Sequence, residues 1–270
     1  MMDIIEDCER PILIGGCGSS GTTLLQSLLT SHSKVAGGPE MSVFDRPRLY
    51  DMGMSDFYSR WESDALAVFD EDCIYPISFG GGGSTFAANR DEFNPEKVVR
   101  HIFADPICKT VRDFWSKFFT AYARRNGKAI WCEKSPNNVY CIDKFFEWFP
   151  HGRFINVLRD GRDVVASLVQ TRGFVPIHAM YRWLTAVNAW QRSEPDPRVF
   201  CVRYENLVKF PAPHMRLLLN WLGLEWEPNA FKASEVHQDS VGRWLKLDDF
   251  SKLQLSLMFD DKLFELGYQT

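Results

Sequence analysis

An α/β fold, three layers deep with a central and mostly parallel sheet, is what this chain predicts, on three observations. Residues 12–31 read as a short apolar strand, a glycine-rich turn and a helix. Residues 153–169 repeat that order, with a charged turn in place of the glycines. Elsewhere, short apolar runs alternate with stretches whose apolar residues recur every three or four positions. Strands alternating with helices pair in parallel and are covered on both faces, so a ligand is expected at the strands' carboxyl ends.

The 270 residues, 45% hydrophobic and 24% charged, suffice for a full core in a single domain. A formal net charge of −4 provides no general field for nucleic acid or an acidic membrane, so any anion site has to be built locally. The seven cysteines, at positions 8, 17, 73, 108, 132, 141 and 201, form no C-x-x-C pair. They read as thiols of a reducing compartment, not as a disulfide frame or a zinc site. With no signal-type leader and no apolar run of about 18 residues, the expectation is a cytoplasmic protein with no membrane span and no nucleic-acid partner. Nothing in composition or motif sets an oligomeric state.

Taken in order, Ile12, Leu13 and Ile14 form the first strand, and Gly15, Gly16, Gly18 and Gly21 the turn. Thr22 and Thr23 open a helix with Leu24, Leu25, Leu28 and Leu29 on one face. Glycines let backbone approach an anion, and the helix start offers unpaired N–H groups, so this corner reads as a phosphate cradle. Gly16 and Gly21 have the spacing of the triphosphate loop G-x-x-x-x-G-K-[ST], but Thr22 stands where its lysine belongs. That absence argues against ordinary γ-phosphoryl transfer.

Residues 34–40 read as a second short extended piece, broken by Gly37-Gly38-Pro39 and followed by Glu40, a carboxylate on the strand next to the cradle in sequence. The stretch 45–127 is expected to act as a variable, substrate-covering region, with a flexible glycine run at 80–83 and a helix start at Asn94-Pro95-Glu96. Within it, Val111, Phe114, Trp115, Phe118, Phe119 and Tyr122 mark a helix with an aromatic core face. Ala129-Ile130-Trp131-Cys132 is a buried-type strand that ends in Glu133-Lys134, making Lys134 a candidate anion ligand.

Arg153 to Leu158 is the next strand, turned by Arg159-Asp160-Gly161-Arg162-Asp163 into a helix that carries Ser167. Asp160 and Asp163 have the spacing of a capping pair, while Arg159 and Ser167 offer a guanidinium and a hydroxyl to a second anion. Residues 178–193 form another aromatic helix, Val199 to Val202 a strand ending at Arg203-Tyr204, and Met215 to Leu222 a helix stopped by Gly223. A late basic, aromatic turn follows at Gly242-Arg243-Trp244.

Together these corners resemble the sulfotransferases that use 3′-phosphoadenosine 5′-phosphosulfate. Gly18-Ser19-Ser20-Gly21-Thr22-Thr23 is similar to that family's 5′-phosphosulfate loop, and Arg159 with Ser167 to its 3′-phosphate motif. The resemblance implies a P-loop-like fold and the nucleotide as sulfuryl donor, leaving as adenosine 3′,5′-bisphosphate without a metal. It further implies Glu40 as the base, Lys134 on the transferring group, Tyr204 near the adenine side and Arg243 in a basic loop over the nucleotide. Ser19 departs from the pattern, for the family's loop carries Lys or Arg there. The acceptor is a hydroxyl compound that the sequence does not name. Two other readings stay open: a P-loop kinase-like ATP enzyme with Glu133 as magnesium carboxylate, and a relative that binds the nucleotide with little or no catalysis.

Overall fold

The computed structural model describes residues 9–38, 40–44, 47–59, 95–228, 230–231, 236 and 239–269. The glycine run at 80–83 and the first eight residues lie outside them.

Five parallel strands form one sheet in the order β2-β3-β1-β4-β5. They are β1 (Ile12–Gly16), β2 (Val35–Gly37), β3 (Ile130–Lys134), β4 (Arg153–Leu158) and β5 (Val199–Arg203). In register, Ile14 of β1 stands between Lys134 of β3 and Ile155 of β4, so the chain leaving β1 emerges between the ends of both neighbours. The strands β3, β1 and β4 therefore share a carboxyl edge, where α/β sheets carry ligand sites.

Side-chain alternation splits the core in two. Ile12, Ile14, Ile155, Val157 and Val202 pack one face against α1 (Thr22–Thr30), α7 (Tyr204–Lys209) and α8 (Pro211–Leu222). Leu13, Trp131, Phe154 and Leu158 pack the other. There they meet α3 (Val111–Arg125), α4 (Ile142–Trp148), α5 (Gly161–Arg172), α6 (Pro176–Ser193) and α9 (Asp249–Glu265), with α2 (Pro95–Ala104) alongside α3. The three-layer arrangement that the alternation implied is the one observed.

The helix predicted at 110–125 is held by a complete capping box, in which Thr110 and Asp113 satisfy each other's backbone N–H groups. Its rings stack into the core, with Phe119 on Trp131 at 4.7 Å between centroids. This part of the 45–127 stretch is thus a layer of the sheet's own core. Against expectation, α8 begins at Pro211, because proline at the first helical turn gives up no needed N–H. α9 was not visible in the sequence pattern at all.

Candidate active site

The glycine corner starts from the conformation of two residues. Gly21 has φ 95° and caps α1 with no side-chain hydrogen bond, so among the described residues the cap leaves the N–H groups of the first helical turn unclaimed. A β-carbon at position 21 would meet Cδ2 of Tyr204 at 2.4 Å, so both the left-handed backbone and the ring packed on it require glycine. Ser19 also lies in the left-handed region, at φ 68°. Around the turn Ser20 N–H donates to the Cys17 carbonyl at 3.1 Å, and the space beside Gly18 is open. The Ser20 hydroxyl is buried and has no hydrogen-bond partner among the described residues. Burial pushes the Cys17 thiol up to about 12, which leaves it protonated and not a nucleophile.

β3 supplies the second wall. Lys134 is buried, and its Nζ donates to Thr23 Oγ1 at 3.1 Å and pairs with the Glu40 carboxylate. The Glu40 side chain is half exposed, so the pair has one buried end and one open to an incoming molecule. Three residues singled out from separate parts of the sequence, Thr23, Glu40 and Lys134, are in this way joined by one ammonium group.

Behind that pair lies a cluster that sequence reasoning assigned differently. Glu133, the candidate magnesium carboxylate, is 1% exposed. Its Oε1 accepts from Met41 N–H at 3.0 Å and Ser135 Oγ at 2.6 Å, its Oε2 from Asn138 Nδ2 at 2.6 Å. Ser135 Oγ in turn accepts the N–H of Ser42 at 2.9 Å. Burial pushes the Glu133 carboxyl up, and the three donors pull it back. With its oxygens enclosed by donors, Glu133 is not presented to a cation.

β4 and α5 form the third wall. Arg159 is buried, with Nη1 donating to the Ser19 carbonyl at 2.9 Å and Nη2 to the Ser240 carbonyl. Its guanidinium also lies 4.7 Å over the Tyr204 ring, and its Nε is buried without a partner among the described residues. Tyr204, expected on the adenine side, is thus packed between Gly21 and Arg159. Ser167 is buried on α5, two turns beyond the helix start. Of the expected capping pair only Asp160 caps, accepting Arg162 N–H at 2.9 Å. Asp163 instead reaches the late turn, accepting N–H from Gly242 at 2.8 Å and Trp244 at 3.1 Å, and lies 3.7 Å from Arg159 Nη2. Arg162 stacks on Trp244 at 4.2 Å, so the turn holding Arg243 is docked on the start of α5. His32, a rival base by residue type, sits at the far end of α1 with Nε2 3.0 Å from the Glu225 carbonyl.

Residues 11–228 match the model of the sulfotransferase family. This chain belongs to that family. Among curated relatives it is 24% identical over 241 residues to protein-tyrosine sulfotransferase 1 of Danio rerio, covering 86% of this chain and 57% of the relative. It is 24% identical over 269 residues to a Drosophila melanogaster protein-tyrosine sulfotransferase, covering 90% and 47%. The chain thus spans about half the length of the curated relatives it matches. In fold it resembles the sulfotransferase domain of the Synechococcus PCC 7002 olefin synthase, with TM-score 0.61, 17% identity and coverage of 96% and 98%. The family match runs through residues 45–127 as well as both corners. No helix among the described residues is long and apolar enough to cross a membrane.

Proposed function

We propose that this chain transfers a sulfuryl group from 3′-phosphoadenosine 5′-phosphosulfate to an acceptor hydroxyl. The observation that carries this reading is Lys134, whose ammonium joins the Glu40 carboxylate to Thr23 of the glycine corner. A base, a cation and an anion cradle linked through one ammonium suit a reaction in which a proton leaves the acceptor as negative charge grows on the departing phosphate.

The corner also fits the nucleotide. It has an uncapped helix start, open space beside Gly18, and two buried donors, Ser20 Oγ and Arg159 Nε, that lack partners among the described residues. Donors left unsatisfied at a concave corner are costly unless an anion or water takes them. The nucleotide, when bound, supplies the sulfuryl group. Ser19, Ser20, Gly21, Thr22 and Thr23 would hold its 5′ end, and Arg159, Ser167 and Arg243 its 3′-phosphate. Glu40 takes the acceptor proton. Lys134 stands in for the basic residue that the loop lacks at Ser19. The names of the curated relatives favour a phenolic acceptor, the tyrosine side chain.

The kinase-like reading is disfavoured by Thr22 in the lysine position and by the enclosure of Glu133 among three donors. The test is incubation with the sulfate-labelled nucleotide and a panel of tyrosine peptides and small phenols. Labelled acceptor is expected. Tight binding of adenosine 3′,5′-bisphosphate with no product from any acceptor would support a binding-only relative instead.

A further inference from the structure

Glu40 follows a Gly-Gly-Pro break and is half exposed; before the break the carbonyls of Gly37 and Gly38 accept from Tyr122 Oη at 3.2 Å and Gln26 Nε2 at 3.0 Å, so the direction of the base depends on what fixes the chain after it. The two residues after it are held. Met41 N–H ends on Glu133 Oε1 and Ser42 N–H on Ser135 Oγ, and Ser135 donates its own proton to the same Glu133 oxygen. Both backbone groups immediately beyond the base are therefore fastened to one buried carboxylate. Asn138 completes the cluster, donating to Glu133 Oε2 at 2.6 Å and to the carbonyl of Ile14 at 3.0 Å. Ile14 lies on β1, two residues before the strand ends at Gly16, where the glycine turn starts. Glu133 also adjoins Lys134 in sequence, so the cluster ties the base segment, the strand that carries the cation and the strand that leads into the cradle.

The energetics make such a link worth keeping only if it fixes something. A carboxylate 1% exposed carries a large desolvation cost, which three close donors offset. An apolar residue at 133 would fill the same space without that cost, but would leave the N–H of Met41 and the hydroxyl proton of Ser135 without their acceptor and the Asn138 amide with the Ile14 carbonyl alone. We infer that Glu133, through Ser135 and Met41, is a positioning residue that holds Glu40 in line with Lys134 and the glycine corner. This rests on Glu40 being the base.

The experiment is a double-mutant cycle between Glu133→Gln and Glu40→Gln, read as kcat, as KM for the nucleotide, and as affinity for adenosine 3′,5′-bisphosphate. Glutamine keeps the size but puts an amide against Asn138. In the natural background Glu133→Gln should lower kcat by roughly tenfold or more, since misplacing a reacting group by about 1 Å can cost on the order of 100-fold. KM and affinity should stay within about threefold, because the cluster does not face the nucleotide. In the Glu40→Gln background the same substitution should cost less than about threefold in kcat, since no base remains to be placed. Equal losses in both backgrounds would mean general damage and overturn the inference, as would an unchanged kcat in the natural background. A small effect of Glu40→Gln itself would fell the base reading, a different failure, and this role with it. Should Glu133→Gln fail to fold, Ser135→Ala removes the acceptor for Ser42 and one of the three donors to Glu133 while leaving Met41 N–H its acceptor, and should show the same non-additivity at lower amplitude; additive losses there would overturn the inference too.

Discussion

Glu40 and Arg159 are the residues on which the chemistry and the nucleotide reading separately depend. Glu40 meets Lys134 at the open end of the pair, and removing its negative charge while keeping its shape should lower turnover by roughly 10² to 10⁴ for Glu40→Gln. Steady-state rates at saturating nucleotide check this, and a loss under threefold would take Glu40 out of the base role. Arg159 is tied by Nη1 and Nη2 to the Ser19 and Ser240 carbonyls. Arg159→Ala should weaken adenosine 3′,5′-bisphosphate by roughly 10- to 100-fold, the worth of one charge-assisted hydrogen bond, and leave adenosine 5′-phosphate nearly unchanged. Equal losses for both in calorimetric titration would refute the 3′-phosphate assignment. At this scale the sequence was readable where a residue type is rare in its place, as with a lysine ending an apolar strand. It misled at Glu133 and Asp163: Met41 and Gly242, which lie 92 and 79 positions from them, leave no local trace, and a serine and an asparagine two and five residues after Glu133 do not announce that they face it.

Elements set how those residues meet. α1 and α5 both start at the carboxyl edge of the sheet, and each start is packed against another segment: Gly21 leans on Tyr204 after β5, and Asp163 on α5 fastens the late turn. The strand–turn–helix units were legible because their apolar periods are clean and each turn is marked by glycine or charge. α9 was not, because only Leu255, Phe259 and Leu263 face the core while Phe250, Leu253, Leu257 and Phe264 are exposed and blur the period. Docking of the late turn has a measurable consequence. Asp163→Ala removes a buried acceptor from two N–H groups and should cost about 2 to 4 kcal/mol of stability, by the usual worth of hydrogen bonds to a charged group. Arg243→Ala, which leaves the turn docked, should keep stability while weakening adenosine 3′,5′-bisphosphate. Denaturant unfolding and titration of both variants separate the two effects, and unchanged affinity in Arg243→Ala would remove that residue from the nucleotide site.

On the scale of the whole molecule, a ligand that binds only the folded chain raises the unfolding temperature by mass action, and this gives the most direct separation of donors. The glycine corner lacks the lysine that grips a γ-phosphate, and its candidate magnesium carboxylate is turned into the core, whereas in the proposed reading Arg159 holds a 3′-phosphate that ATP does not have. Adenosine 3′,5′-bisphosphate at about 100 times its dissociation constant should therefore add about 2.7 kcal/mol. For a chain of this size that corresponds to roughly 5 to 10 °C. ATP with magnesium at the same concentration should shift the transition by less than about 2 °C, since a ligand far below its dissociation constant adds little. The comparison has to be made at constant ionic strength, because the cations of both corners respond to any multivalent anion and screening alone would blur the difference. A larger shift with ATP and magnesium would reverse the order of the two readings. Equal shifts would mean that the protein senses only the shared adenosine and 5′-phosphate, and would leave the Arg159 corner without a ligand.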